Sequence, residues 1–104
     1  MAKTVVSAFD SHHMAARILD SVAASGFDPH LFSVIDPLVI KESRLDAMMQ
    51  DVPSLQARLY QKDLQMGDSL LVARVSEDDV ARLIKLLQST GGYHIEAFDP
   101  VNAS

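Results

Sequence analysis

The sequence predicts an α+β domain, and three observations predict it: a strand–helix–strand pattern that occurs twice, matching stop signals in both copies, and a long structured connection between them. Ala16-Arg17-Ile18-Leu19 followed by Ser25-Gly26 returns, at a constant offset, as Ala81-Arg82-Leu83-Ile84 followed by Thr90-Gly91. Each copy leads into an apolar run closing on Asp-Pro, Val34-Ile35-Asp36-Pro37 and then Ala97-Phe98-Asp99-Pro100. With right-handed crossovers, two such halves give a ferredoxin-like βαββαβ arrangement. Its four-stranded antiparallel sheet carries two helices on one face, has the first and third strands in the centre, and leaves room for an extra helical segment between the second and third strands. All 104 residues are expected to form one domain, with 38–67 as the helical insertion.

The elements follow in order. Thr4 to Phe9 is short, apolar and β-branched, which predicts a strand, and Asp10-Ser11 supplies capping side chains for a helix. From Ser11 to Ser25, Met14, Ala15, Ile18, Leu19, Val22 and Ala23 recur at three- and four-residue spacing and share one helical face. Gly26 is the expected left-handed stop. Phe27-Asp28-Pro29 is turn chemistry, and Leu31 to Ile35 reads as the second strand.

The connection from Leu38 to Met66 is too long for a plain loop. Ser43 to Gln50 can form a short helical stretch with Leu45, Met48 and Met49 on one side. Pro53 suits the first position of a second helix reaching about Met66, with Gly67-Asp68 as its exit. On a helical wheel this helix has two apolar stripes, one of Val52, Leu55, Leu59 and Met66, the other of Ala57, Tyr60 and Leu64. One can pack on the sheet, and the other then needs a different cover.

The rear half repeats the pattern. Ser69 to Val75 predicts a strand, and Ser76-Glu77-Asp78-Asp79 places acidic residues at a helix start, where the macrodipole favours them. Val80, Leu83, Ile84 and Leu87 form the buried stripe, Thr90-Gly91-Gly92 ends it, and Tyr93 to Phe98 is the fourth strand. The tail beyond Pro100 is expected to fray.

Composition narrows the function classes. A net charge of −5, from 14 acidic and 9 basic residues scattered along the chain, provides no basic stripe for a phosphate backbone, so nucleic acid is not an expected partner. The chain has no cysteine, which excludes disulfides, thiol catalysis and thiolate metal sites. No apolar run approaches the ~20 residues of a membrane span, so no membrane association is expected. A cytoplasmic protein without cofactor or metal is the expectation.

Aligning the strands through the repeat places Val6, Ala8, Phe32, Val34, Leu71, Ala73, Val75, Tyr93, Ile95 and Ala97 on the helix-covered face. The opposite face then carries Val5, Ser7, Phe9, Leu31, Ser33, Ile35, Leu70, Val72, Arg74, His94, Glu96 and Phe98. Left in water, its large side chains would each forgo about 1.5–3 kcal/mol of burial. It is therefore expected to be covered by the middle segment, a second subunit or both, and a two-fold homodimer or a protein partner is the first functional expectation. Leu55, Leu59, Tyr60, Leu64, Phe9, Ile35, Leu70 and Phe98 are the candidate interface residues.

The same face offers one chemical constellation, with no catalytic assignment. Arg74, His94, Glu96, Ser7 and Ser33 can point into a pocket under the middle helix, with Tyr60 reaching in from it. His94 and Glu96, two apart on one strand, could act as base and orienter while Arg74 holds an anionic ligand. The alternative is that Arg74 and Glu96 sit near strand ends and reach solvent. His12 and His13 diverge by about 100° on a helix and have no ligand three or four residues on, so no metal site is expected there. His30 and His94 occupy repeat-related places across the sheet, which argues against a joint site.

Val52-Pro53 followed by Ala57, Tyr60, Gly67 and Leu70-Leu71-Val72-Ala73-Arg74-Val75, together with Val5-Val6-Ser7-Ala8-Phe9-Asp10, Ala15-Ala16 and Gly26-Phe27, resembles the bacterial heat-induced or general stress protein domains. The resemblance spans about Thr4 to Phe98. It implies a cytoplasmic ferredoxin-like domain linked to stress response and carries no catalytic residue over. The chain departs from that pattern in lacking a Gly-rich middle. Two functional expectations stand: a self-associating or partner-binding domain, and a small-ligand sensor or enzyme of the dimeric α+β-barrel type with a pocket on the open sheet face.

Overall fold

The computed structural model describes residues 2–36 and 49–99. β1 (Ala2–Phe9) leads to α1 (His12–Ala24), a 3-10 turn (Pro29–Leu31) and β2 (Phe32–Ile35). After residue 48 come α2 (Ser54–Gln65), β3 (Ser69–Ser76), a second 3-10 turn (Glu77–Asp79), α3 (Val80–Ser89) and β4 (Tyr93–Phe98). The helical stretch expected over 43–50 lies outside the described residues except for Met49 and Gln50, as does the tail from Pro100 onward. Among the described residues no helix is long and apolar enough to cross a membrane.

The fold is α+β, with one four-stranded antiparallel sheet in the order β2-β3-β1-β4 and three helices among the described residues. β1 and β3 are therefore the central strands, as the doubled pattern predicts. Its halves end their helices alike. Ser11 caps α1 by accepting from the Met14 N–H at 3.2 Å, and at the other end Gly26 takes φ +90° while Phe27 N–H donates back to Val22 O at 2.9 Å. At α3, Gly91 takes φ +94° and Gly92 N–H donates to Leu87 O at 2.9 Å. Both are the left-handed helix stop that glycine adopts without Cβ strain. The repeated Ser/Thr-Gly is thus a repeated cap. The acidic run at 77–79 instead forms its own 3-10 turn, with Ser76 Oγ donating to Asp79 Oδ2 at 3.0 Å.

The sheet has two covered faces. α1 and α3 lie on one, where Val5, Phe9, Ile18, Val22, Leu71, Ala73, Val75, Leu83 and Leu87 close a continuous core. α2 lies on the other, over Val6, Ala8, Ile35, Leu70 and Val72, with Tyr60 and Leu64 as its inward side chains and Met49 and Val52 beside them. The residue pairs Val5↔Ala73 and Val6↔Val72 fix which side each strand position faces.

That register corrects the expected faces. Val5, Ser7 and Phe9 belong on the α1/α3 side, and Val6 and Ala8 on the α2 side, the reverse of the alignment through the repeat. The cause is burial on both faces: every residue from Thr4 to Phe9 is buried, so β1 has no apolar–polar alternation to read. Tyr93 is also on the α2 side rather than the helix-covered one, because the β1–β4 register shifts between Val6 and Ala8. Leu31 falls in the 3-10 turn ahead of β2 and is exposed.

Candidate functional site

β4 is an edge strand, and its bulge shapes the site. Val6 pairs with Glu96 but Ala8 pairs with Tyr93, so β4 accommodates one extra residue where β1 advances by two. His94 absorbs it with φ +49°, the one non-glycine positive φ among the described residues. Such a conformation costs on the order of 1–3 kcal/mol and needs support from its surroundings. α2 supplies it. The Tyr60 hydroxyl donates to the His94 carbonyl at 2.6 Å, and Asp63 Oδ2 lies 2.9 Å from His94 Nδ1, which fits a ring N–H donating to a carboxylate. The Tyr93 ring meets the imidazole edge to face at 5.0 Å, and its hydroxyl donates to Asp68 just beyond α2.

The bulge thus puts Tyr93, His94 and Glu96 on the α2 side together. Between β4 and α2 lies a cleft of about 250 Å³ bounded by Gln56, Leu59, Tyr60, Lys62, Asp63, Met66, His94 and Glu96. Its inner end is polar. Its outer wall is apolar, formed by Leu59 and Met66, which are 56% and 77% exposed. Glu96 Oε2 sits 3.5 Å from the Tyr60 hydroxyl, at the outer limit of a hydrogen bond. Burial first, and the Glu96 carboxylate second, hold the Tyr60 hydroxyl well above the usual tyrosine range, so at neutral pH it remains a donor. Tyr93 is likewise pushed up, by burial and then by its bond to Asp68.

Three of the six residues expected around a pocket, Tyr60, His94 and Glu96, meet here. The other three do not, and Ser33 is exposed on β2 away from the cleft lining. Ser7 is wholly buried on the α1/α3 face, its Oγ 3.4 Å from Ala8 O. Arg74 is an anchor: its Nη2 donates to Asp51 Oδ2 at 3.1 Å, and Thr4 Oγ1 donates to the same oxygen at 2.9 Å. That pairing offsets the desolvation of the buried Asp51 and fastens the segment before α2 to the sheet. Asp63 is the residue the sequence reading missed. It lies three positions after Tyr60, on the stripe of α2 that faces the sheet, and the same helical wheel that marks Tyr60 and Leu64 places it inward.

The expected interface residues divide in the same way. Phe9, Ile35, Leu70, Tyr60 and Leu64 are packed inside the protomer, Phe9 on the α1/α3 side, and Phe98 is half-buried against the α2 cluster. Leu55, 68% exposed, and Leu59 remain on the outer side of α2 with Met66. His30 is exposed and pairs with Asp28 at 3.0 Å, far in the sequence and in role from His94. Among the described residues no group of three or more histidine or acidic side chains is placed to hold a metal ion. Comparison with protein-family models, curated proteins and solved structures finds no match.

Proposed function

We propose that this chain is a ferredoxin-like domain that binds a small ligand in the cleft between α2 and β4. The central placement of β1 and β3, with β2 and β4 at the edges, supports the fold reading. One observation carries the functional reading: the apolar side chains that α2 leaves uncovered, Leu59 and Met66, form the wall of the same cleft into which Tyr60, His94 and Glu96 converge. Apolar walls with a few convergent polar groups are the usual make-up of a ligand site, and at about 250 Å³ this cleft falls just below the roughly 300–1,000 Å³ range for such sites, which suits a small ligand. A ligand seated there covers apolar surface that the fold itself leaves open. The link to stress response and a cytoplasmic setting remains part of the proposal on the quoted sequence resemblance.

Backbone amide NMR with a small set of fragments tests this reading. Chemical-shift changes concentrated on Leu59, Tyr60, Met66, His94 and Glu96 support it, and a set of binders that perturbs only other surfaces contradicts it. Leu55 favours a second reading, self-association through the outer side of α2, because it is exposed and does not line the cleft. A dimer by sedimentation that Leu55→Asp converts to a monomer would establish that reading instead.

A further inference from the structure

The cleft has an uneven set of hydrogen-bonding groups, and the imbalance specifies a ligand. The Tyr60 hydroxyl is committed to the His94 carbonyl at 2.6 Å, so its proton is not available to Glu96, 3.5 Å away. Glu96 makes no ion pair among the described residues, and its carboxylate has about four acceptor sites to fill. His94 Nδ1 is engaged by Asp63, and its Nε2 has no hydrogen-bond partner among the described residues. Lys62 is on the cleft wall but comes within ion-pair distance of neither Glu96 nor Asp63. The Glu96 carboxylate therefore lines the space as an acceptor without a strong donor among the described residues.

Beside them run Leu59 and Met66, which favour an apolar body. An anionic ligand would meet two carboxylates, Asp63 and Glu96, and a chain of net charge −5. A neutral one would leave the Glu96 charge unpaired while displacing its water. The geometry points to a compact organic cation, an ammonium on an apolar body such as a short alkyl- or arylalkylamine, bound with its N–H groups on Glu96 and its carbon skeleton along Leu59 and Met66. This inference rests on the cleft being a ligand site and adds the ligand's charge.

Three isosteric probes separate the two claims: 2-phenylethylamine, 2-phenylethanol and 3-phenylpropionate, each titrated into the full chain by amide NMR. The amine is expected to shift the cleft resonances and to bind at least ten-fold more tightly than the alcohol, and Glu96→Gln should remove that advantage. Glu96 is exposed, and an amide spectrum of the variant matching the parent outside the cleft confirms that it folds. Alcohol or carboxylate binding in the cleft as tightly as the amine would overturn the cation preference and leave the ligand site standing. Failure of all three to perturb the cleft would overturn both.

Discussion

The two faces of the sheet are covered differently, and the difference locates the site. On one, α1 and α3 lie side by side over a sealed core in which Ile18, Leu83, Leu87 and Phe9 have no solvent exposure. On the other, α2 is the one helix among the described residues that covers the strands. A helix is about 10 Å across with its side chains, whereas four strands spaced about 4.8 Å apart are wider than that. Two helices side by side span such a sheet more fully than one. At the β4 edge α2 makes polar contacts with His94 through Tyr60 and Asp63. A sealed face gives stability, and a partly roofed one leaves a cleft.

The contrast can be broken most directly by truncation. Ile18→Ala in the sealed face should cost about 3–5 kcal/mol of unfolding free energy in a denaturant titration, against roughly 2–3 for Leu64→Ala under α2, whose surroundings can relax toward the cleft. Equal costs would mean that the two faces are equally packed. Gly92→Ala is the next largest. A Cβ there would stand 2.5 Å from Ser7 Oγ and 3.0 Å from the Leu87 carbonyl, and overpacking against backbone should cost about 1–3 kcal/mol. Gly92 in this view is a packing residue of the sealed face, where the sequence offers only turn material.

Tyr60→Phe sharpens the other side. Loss of the bond to the strained His94 carbonyl should cost about 0.5–1.5 kcal/mol and weaken ligand binding as the bulge relaxes. Both tyrosines of the chain have raised folded-state pKa values. Each therefore contributes stability that is complete below its unfolded pKa, near 10, and lost as pH rises toward the folded value. An absorbance titration should show no tyrosinate until the protein unfolds in alkali, and tyrosinate forming at about pH 10 in the folded state would contradict the burial of Tyr60. The smallest change expected is Ser69→Ala. Ser69 Oγ is buried without a hydrogen-bond partner among the described residues, so removing it should be neutral or slightly stabilising in the same denaturant assay.

The sequence made much of this legible where a periodic signal existed. The two stripes of α2 could be read from helical spacing, and the inward one is the one that packs on the sheet. His94 and Glu96 fall on the α2 side because they share a parity in β4. The errors lie where periodicity fails for a physical reason. β1 is buried on both faces, so its order Val5-Val6-Ser7-Ala8-Phe9 carries no face signal, and Ser7 lies on the opposite face from the one the repeat predicts. The bulge at His94 breaks the two-residue alternation, and no residue type in Tyr93-His94-Ile95 announces it. Asp63 was passed over because an acid in a helix reads as solvated, although its position on the wheel is inward.

All of this depends on the chain's own helix closing the second face. With no native cysteine, Val72→Cys places a single near-isosteric thiol beneath α2, and its rate of maleimide labelling can be followed from high to very low protein concentration. The account predicts strong protection that does not change on dilution, while Leu59→Cys in the open cleft wall labels at once. Protection of Val72→Cys that disappears on dilution would show that a second molecule, not α2, covers the face.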